Sequence, residues 1–100
     1  MQQQTLIFIL FWTLFTGFLH AQTATLTGKV TDQTSGEPLI AATILAGAKG
    51  AVADAEGIYT VILEPGTYKV EISYVGYQPL QQMITLADGE TKTLDAALSS

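Results

Sequence analysis

The sequence predicts an all-β protein, a small sandwich of seven short strands preceded by a helical signal peptide. Three observations predict it. From Tyr68 the residues alternate, with Tyr68, Val70, Ile72 and Tyr74 on one face and Lys69, Glu71 and Ser73 on the other, the period-2 pattern of a half-buried strand. Strand-like runs recur roughly every 8 to 12 residues with turn formers between most pairs, the spacing of a β-sandwich. No stretch after residue 21 has a helical pattern. The stretch Glu64 to Tyr77 organises the rest: Pro65-Gly66 is expected to form a type II turn, with proline presetting φ and glycine supplying the positive φ that follows, and Gly76 ends the strand.

The first 21 residues stand apart. Leu6 to Leu19 is almost unbroken apolar sequence and contains all four Phe and the single Trp. As a helix these residues reach roughly 21 Å, short of the roughly 30 Å hydrocarbon core of a bilayer. A signal peptide over 1–21 fits better, with Ala21 as the small residue at the cleavage site and Gln22 as the new N-terminus. Its n-region has no Lys or Arg, so only the α-amino group supplies positive charge. The domain expected from 22 to 100 is therefore exported, to the periplasm or in association with the outer membrane.

The chain contains no Cys, which removes disulfides, thiol catalysis, thiolate metal sites and a lipid anchor on an N-terminal Cys. The exported part is expected to be soluble and unanchored. The net charge of −5 comes from four Lys, no Arg and nine carboxylates, all after Gly28. With no basic patch, nucleic acid and acidic membrane surfaces are poor partners.

In chain order, Ala24, Leu26, Gly28 and Val30 alternate with Thr25, Thr27, Lys29 and Thr31, giving a first strand with one wet face. Asp32 to Pro38, including Gly36, gathers turn formers and reads as a loop. Leu39 to Ala46 is apolar with β-branched Ile40, Thr43 and Ile44 and reads as a second strand, with Gly47 to Gly50 as its turn. Ala51 to Ala53 allows only a short edge strand before Asp54-Ala-Glu-Gly57, where Asp54 bonds its own backbone and Gly57 takes a left-handed conformation.

Ile58 to Leu63 is apolar on both faces, which predicts a central strand joined by Glu64 to Thr67 to the organising strand as a hairpin. After Gly76-Tyr77-Gln78-Pro79 the chain resumes as a strand over Gln82 to Ala87, turns at Asp88-Gly89, and ends in a strand over Thr91 to Leu98 with Leu94, Ala96 and Leu98 inward. About 75 residues is near the lower end for a core without disulfides or metal. Lys49, Pro79 and the shortness of the Ala51 strand are expected to limit pairing at open sheet edges.

The runs Gly28-Lys-Val-Thr-Asp32, Ser35-Gly-Glu-Pro-Leu39 with Ala41-Ala-Thr43, Asp54-Ala-Glu-Gly57-Ile-Tyr59, Pro65-Gly-Thr-Tyr68 and Ser73-Tyr-Val-Gly-Tyr77 together resemble the carboxypeptidase regulatory-like domain. The resemblance covers about residues 24 to 97 and implies an Ig-like, transthyretin-like sandwich of the broad carbohydrate-binding-like fold class. The Tyr-Val-Gly-Tyr form is similar to the copy at the N-terminus of TonB-dependent outer-membrane receptors of Bacteroidetes, which import glycans and other nutrients. In those receptors a plug and a large barrel follow, whereas this sequence stops at Ser100; it reads either as a fragment of such a receptor or as a free-standing exported copy. In metallocarboxypeptidases the analogous domain follows the catalytic one and carries no catalysis.

Catalytic chemistry is not assembled. The only His is His20, inside the expected signal peptide, so neither a catalytic zinc site nor a Ser-His-Asp arrangement has its parts. An isopeptide crosslink among Lys29, Glu71 and Asp95 requires a dry core, and alternation places all three in solvent. Asp54, Glu56 and Asp88 are loop carboxylates of the kind that offer oxygens to Ca²⁺, which takes six to eight; the favoured reading is that Asp54 and Asp88 simply close turns. No cofactor or metal is expected.

Among Tyr59, Tyr68, Tyr74 and Tyr77, phase turns Tyr68 and Tyr74 inward, which leaves Tyr77, beyond Gly76, as the most exposed and the candidate ligand contact. The expected function is a non-catalytic interaction module whose partner is a protein or cell-envelope component, contacted through loops or by strand addition. A free-standing carbohydrate-binding module, with a glycan as ligand, is the alternative.

Overall fold

The computed structural model describes residues 22–100. The expected signal peptide, with His20, lies outside the described residues. Eight strands follow one another: β1 (Ala24–Asp32), β2 (Thr43–Ala46), β3 (Lys49–Val52), β4 (Ile58–Leu63), β5 (Gly66–Ser73), β6 (Leu80–Leu86), β7 (Thr91–Thr93) and β8 (Ala96–Leu98). They form two four-stranded sheets. One has β1 at its centre, with β4 antiparallel on one side and β7 and β8 parallel on the other, each against a different half of β1. The other runs β3-β2-β5-β6 and is antiparallel throughout.

The core lies between the sheets and is built by strict alternation. β1 turns Ala24, Leu26 and Val30 inward; β4 adds Tyr59, Val61 and Leu63, and β8 adds Ala96 and Leu98. From the facing sheet come Ile44 and Ala46 of β2, Val70 and Ile72 of β5, and Ile84 and Leu86 of β6. The sandwich, the inward set of β1, and Val70 and Ile72 of β5 are as the sequence predicts, whereas Tyr68 is only half-buried and Tyr74 lies beyond the end of β5, in the next loop. Each fully buried Leu, Ile or Val contributes about 1.5–3 kcal/mol of transfer free energy, and these side chains hold the sheets face to face.

Several expectations are corrected. There are eight strands, because the last predicted strand breaks at Leu94-Asp95. The Leu94 carbonyl turns inward to accept the Tyr59 hydroxyl at 2.6 Å, while the Asp95 carboxylate accepts the Lys29 N–H at 2.9 Å. Tyr59 pairs with Gly28 across β1 and β4, and a Cβ at Gly28 would lie 1.9 Å from the Leu94 oxygen and 3.0 Å from the Tyr59 ring. Only glycine admits this crossing.

β4 is an edge strand, not a central one: it pairs with β1 alone, and its outward Ile58 and Ile62 are 42% and 57% exposed. It forms no hairpin with β5, because the two belong to different sheets. Gly66, with φ of 154°, is far from the roughly 80° of a type II turn and is already the first residue of β5. β3 starts at Lys49, so Gly47-Ala48 alone turns the chain where a turn over Gly47 to Gly50 is expected. β2 begins only at Thr43, for a reason that bears on the site.

Candidate functional site

At the end of the sandwich where β1 stops, three loops converge: 33–42, 53–57 and 74–79. The first carries Ala41, the one non-glycine residue with positive φ (66°) among those described. A left-handed alanine costs roughly 1–2 kcal/mol and persists only where its surroundings fix it. Here the Ala41 N–H donates to the Ala53 carbonyl at 3.0 Å, the Ala53 N–H donates to the Ala42 carbonyl at 2.9 Å, and the Ala42 N–H donates to the Leu39 carbonyl at 3.2 Å. The kink inserts one residue into the alternation. Leu39 and Ala42 are therefore both buried, and Ile40 is turned out to 54% exposure.

The third loop is a tight turn, closed by the Tyr77 N–H donating to the Tyr74 carbonyl at 3.0 Å, with Gly76 at φ 84°. Its tip is Val75, 93% exposed. The two tyrosines pack edge to face, ring centroids 5.5 Å apart at 66°, a favourable quadrupole geometry. The Tyr77 hydroxyl donates to Asp32 Oδ2 at 2.5 Å, while Asp32 Oδ1 accepts the N–H groups of Thr34 at 2.7 Å and Ser35 at 2.9 Å. These bonds, that from Tyr77 foremost, hold the Asp32 carboxyl below the usual carboxylate range. The same bond to Asp32 raises the Tyr77 phenol.

Between the kink and the turn lies an open cleft of about 750 Å³ lined by Ile40, Ala41, Thr43, Ser73, Tyr74 and Val75. Its wall is apolar and hydroxylic and bears no charged group. Tyr77 is half-buried and braced against Asp32 and Tyr74, where the sequence predicts the freest of the tyrosines; it supports the cleft from behind. Tyr59 is fully buried, and Tyr68 is half-buried with its hydroxyl on the Glu64 carbonyl at 2.7 Å.

The predicted turn residues divide between the two ends. Gly36, Pro38, Asp54, Gly57 and Gly76 lie in the loops beside the cleft, whereas Pro65, Gly66, Asp88 and Gly89 lie at the opposite end. Asp54 closes its loop, Oδ1 accepting the N–H of Glu56 at 2.9 Å and of Ile58 at 3.0 Å. Gly57, at φ 79°, packs so closely that a Cβ would lie 2.7 Å from the Val30 oxygen and 2.9 Å from Pro38. Lys29 and Asp95 are exposed and Glu71 is half-exposed in the other sheet, as the alternation predicts. Among the described residues no three His, Asp or Glu side chains are grouped to hold a metal.

Ile40, Ala41 and Val75 escape sequence reasoning. Nothing distinguishes Leu39-Ile40-Ala41-Ala42 from a plain apolar strand, and the kink follows from the Ala53 contacts. Val75 was legible in principle: in Tyr-Val-Gly-Tyr the residue before the turn glycine stands at the tip.

The carboxypeptidase regulatory-like domain family matches residues 25–99. The chain belongs to this family. No curated protein matches it in sequence. Among solved structures, this regulatory-like domain is similar to the TIE protein of Bacillus anthracis (TM-score 0.66, 20% identity), covering 78% of this chain and 16% of that one. It is also similar to GBS52, the minor pilin of Streptococcus agalactiae (0.63, 17% identity, 79% and 45%), and to a suspected carbohydrate-binding protein of Bacteroides uniformis (0.56, 14% identity, 75% and 40%). The chain spans less than half the length of each. At such identities the likeness is one of fold.

Proposed function

We propose that this regulatory-like domain is an exported, non-catalytic interaction module of the cell envelope, associated with or derived from a TonB-dependent outer-membrane receptor, and that it contacts a protein through the cleft between Ile40 and Val75. The observation that carries this reading is the cleft itself. Its rims expose two large aliphatic side chains, and the hydroxyls of its wall, on Thr43, Ser73 and Tyr74, have no carboxylate or imidazole in the wall to activate them or to hold a metal. Such a surface supplies apolar burial and shape to a partner and no bond-making chemistry. The apolar segment 1–21 and the Tyr74-Val-Gly-Tyr77 resemblance support export and the receptor association.

A second reading rests on the edge-to-face pair of Tyr74 and Tyr77 at the cleft, an aromatic surface of the kind pyranose faces stack on, in a fold shared with a suspected carbohydrate-binding protein. Oligosaccharide titration followed by amide chemical shifts separates the two. The protein-contact reading expects no saturable shift at Tyr74 to Tyr77; a saturable shift confined to that turn and to Ile40–Thr43 replaces it with the carbohydrate reading.

A further inference from the structure

We infer that the cleft receives an extended protein segment in which an apolar side chain is flanked by Lys or Arg. This rests on the reading of the cleft as a protein contact and adds the chemistry of the partner. The apolar half comes from Ile40 and Val75 on the rims and from Tyr74 and Thr43 between them. Val52, exposed and paired with Thr43 across β2 and β3, continues the apolar surface beyond the cleft.

The charged half comes from the surrounding loops. They contain Glu37, Asp54 and Glu56 and no Lys, and Asp32 stands beside them at the end of β1. Asp32 holds Tyr77, which packs on Tyr74 of the cleft wall. Asp54 follows Ala53, whose backbone is bonded to Ala41 and Ala42. None of the four Lys lies in these loops, although Lys29 pairs with Ile58, the residue after the 53–57 loop. Lys49 and Lys92 donate to the carbonyls of Ile62 and Thr85, and Lys29 and Lys69 occupy exposed positions on β1 and β5.

An apolar slot thus opens at an end of the sandwich whose loops carry carboxylates and no Lys, and charge acts over roughly 8 Å at physiological ionic strength. An acidic segment is repelled there, and a neutral one gains nothing from the charged loops. A basic–apolar segment satisfies both halves, burial giving affinity and charge giving orientation and on-rate.

The test uses the protein purified after expression of the full 100-residue chain and three synthetic peptides with one central Leu, flanked by Lys, by Glu or by Ser. The Lys peptide is expected to shift the amides of Ile40, Ala41 and Val75. It should bind about tenfold or more tightly than the Glu peptide at about 0.1 M ionic strength, and the two should converge near 1 M, where the screening length falls from roughly 10 to 3 Å. Glu37→Gln with Glu56→Gln should weaken the Lys peptide several-fold and leave the Ser peptide unchanged; Val75→Ser should weaken both.

Equal binding of all three peptides at the cleft overturns the basic–apolar assignment and leaves the protein-contact reading standing. Binding of an oligosaccharide there with no peptide overturns both. Failure of every peptide to shift the cleft amides overturns the inference.

Discussion

Tyr59 governs a strand break on the other side of β1 in its own sheet. Its hydroxyl donates to the Leu94 carbonyl at 2.6 Å, which draws that carbonyl out of the ladder and separates β7 from β8. Tyr59→Phe leaves the carbonyl unpaired and should cost about 1–3 kcal/mol, read as a lower urea midpoint at unchanged slope. Burial, with the nearby Asp95 charge, pushes the Tyr59 phenol up to about 12 from 10.0. A pKa raised on folding means that the native state holds the proton more tightly. The stabilisation is therefore complete below pH 10 and is lost as pH rises toward about 12; thermal unfolding across that window should show the loss in the native chain and not in Tyr59→Phe. Asp32 works in the opposite sense. Its carboxyl is lowered from 3.8, chiefly by Tyr77, so its contribution is present above pH 3.8 and is lost as pH falls through the depressed folded value. Amides of Thr34, Ser35 and Tyr77 should lose hydrogen-exchange protection there before those of Val70 and Ile72.

At the level of elements, the sandwich guards its open sides with lysines that reach across from one sheet to the other. Lys49 of β3 donates to the Ile62 carbonyl on the edge of β4 at 3.3 Å, and Lys92 of β7 donates to the Thr85 carbonyl on the edge of β6 at 2.8 Å. Each occupies a backbone acceptor that an incoming strand would use and sets a charge beside it. Lys49→Ala with Lys92→Ala should change stability by no more than about 0.5 kcal/mol while making the protein self-associate at concentrations where the native chain stays monomeric, checked by sedimentation velocity. The place of Lys49 at an open sheet edge was legible in the sequence, and so was the alternation of β1 and of Val70 and Ile72 in β5, because one buried face fixes a period of two. The edge position of β4 was not. Ile58 and Ile62 look like a second buried face, and only the assembled sheets show that no strand covers them. The β7–β8 break was equally hidden, since it depends on Tyr59 and Gly28, far away in sequence.

Across the whole molecule the two ends differ in kind. One holds Pro65, Gly66, Asp88 and Gly89, turn residues that the sequence marks clearly because proline, glycine and aspartate declare their backbone geometry. The other gathers Gly36, Pro38, Asp54, Gly57 and Gly76 around a cleft lined by Ile40 and Ala41, ordinary aliphatics with no signature, and by Val75, marked only by its place before Gly76. Tyr77, singled out as an exposed contact, braces the cleft through Asp32, and its part in ligand contact is a proposal. Contact through that end is tested by crosslinking in the cell envelope. A photoreactive residue is placed at Val75, or at the exposed Met83 of β6 as a control, in cells exporting the full chain, and adducts are identified by mass spectrometry. A discrete protein adduct is expected from Val75 that Met83 does not give, competed by the Lys-flanked peptide. No adduct from Val75, or the same adducts from both positions, would contradict contact through that end.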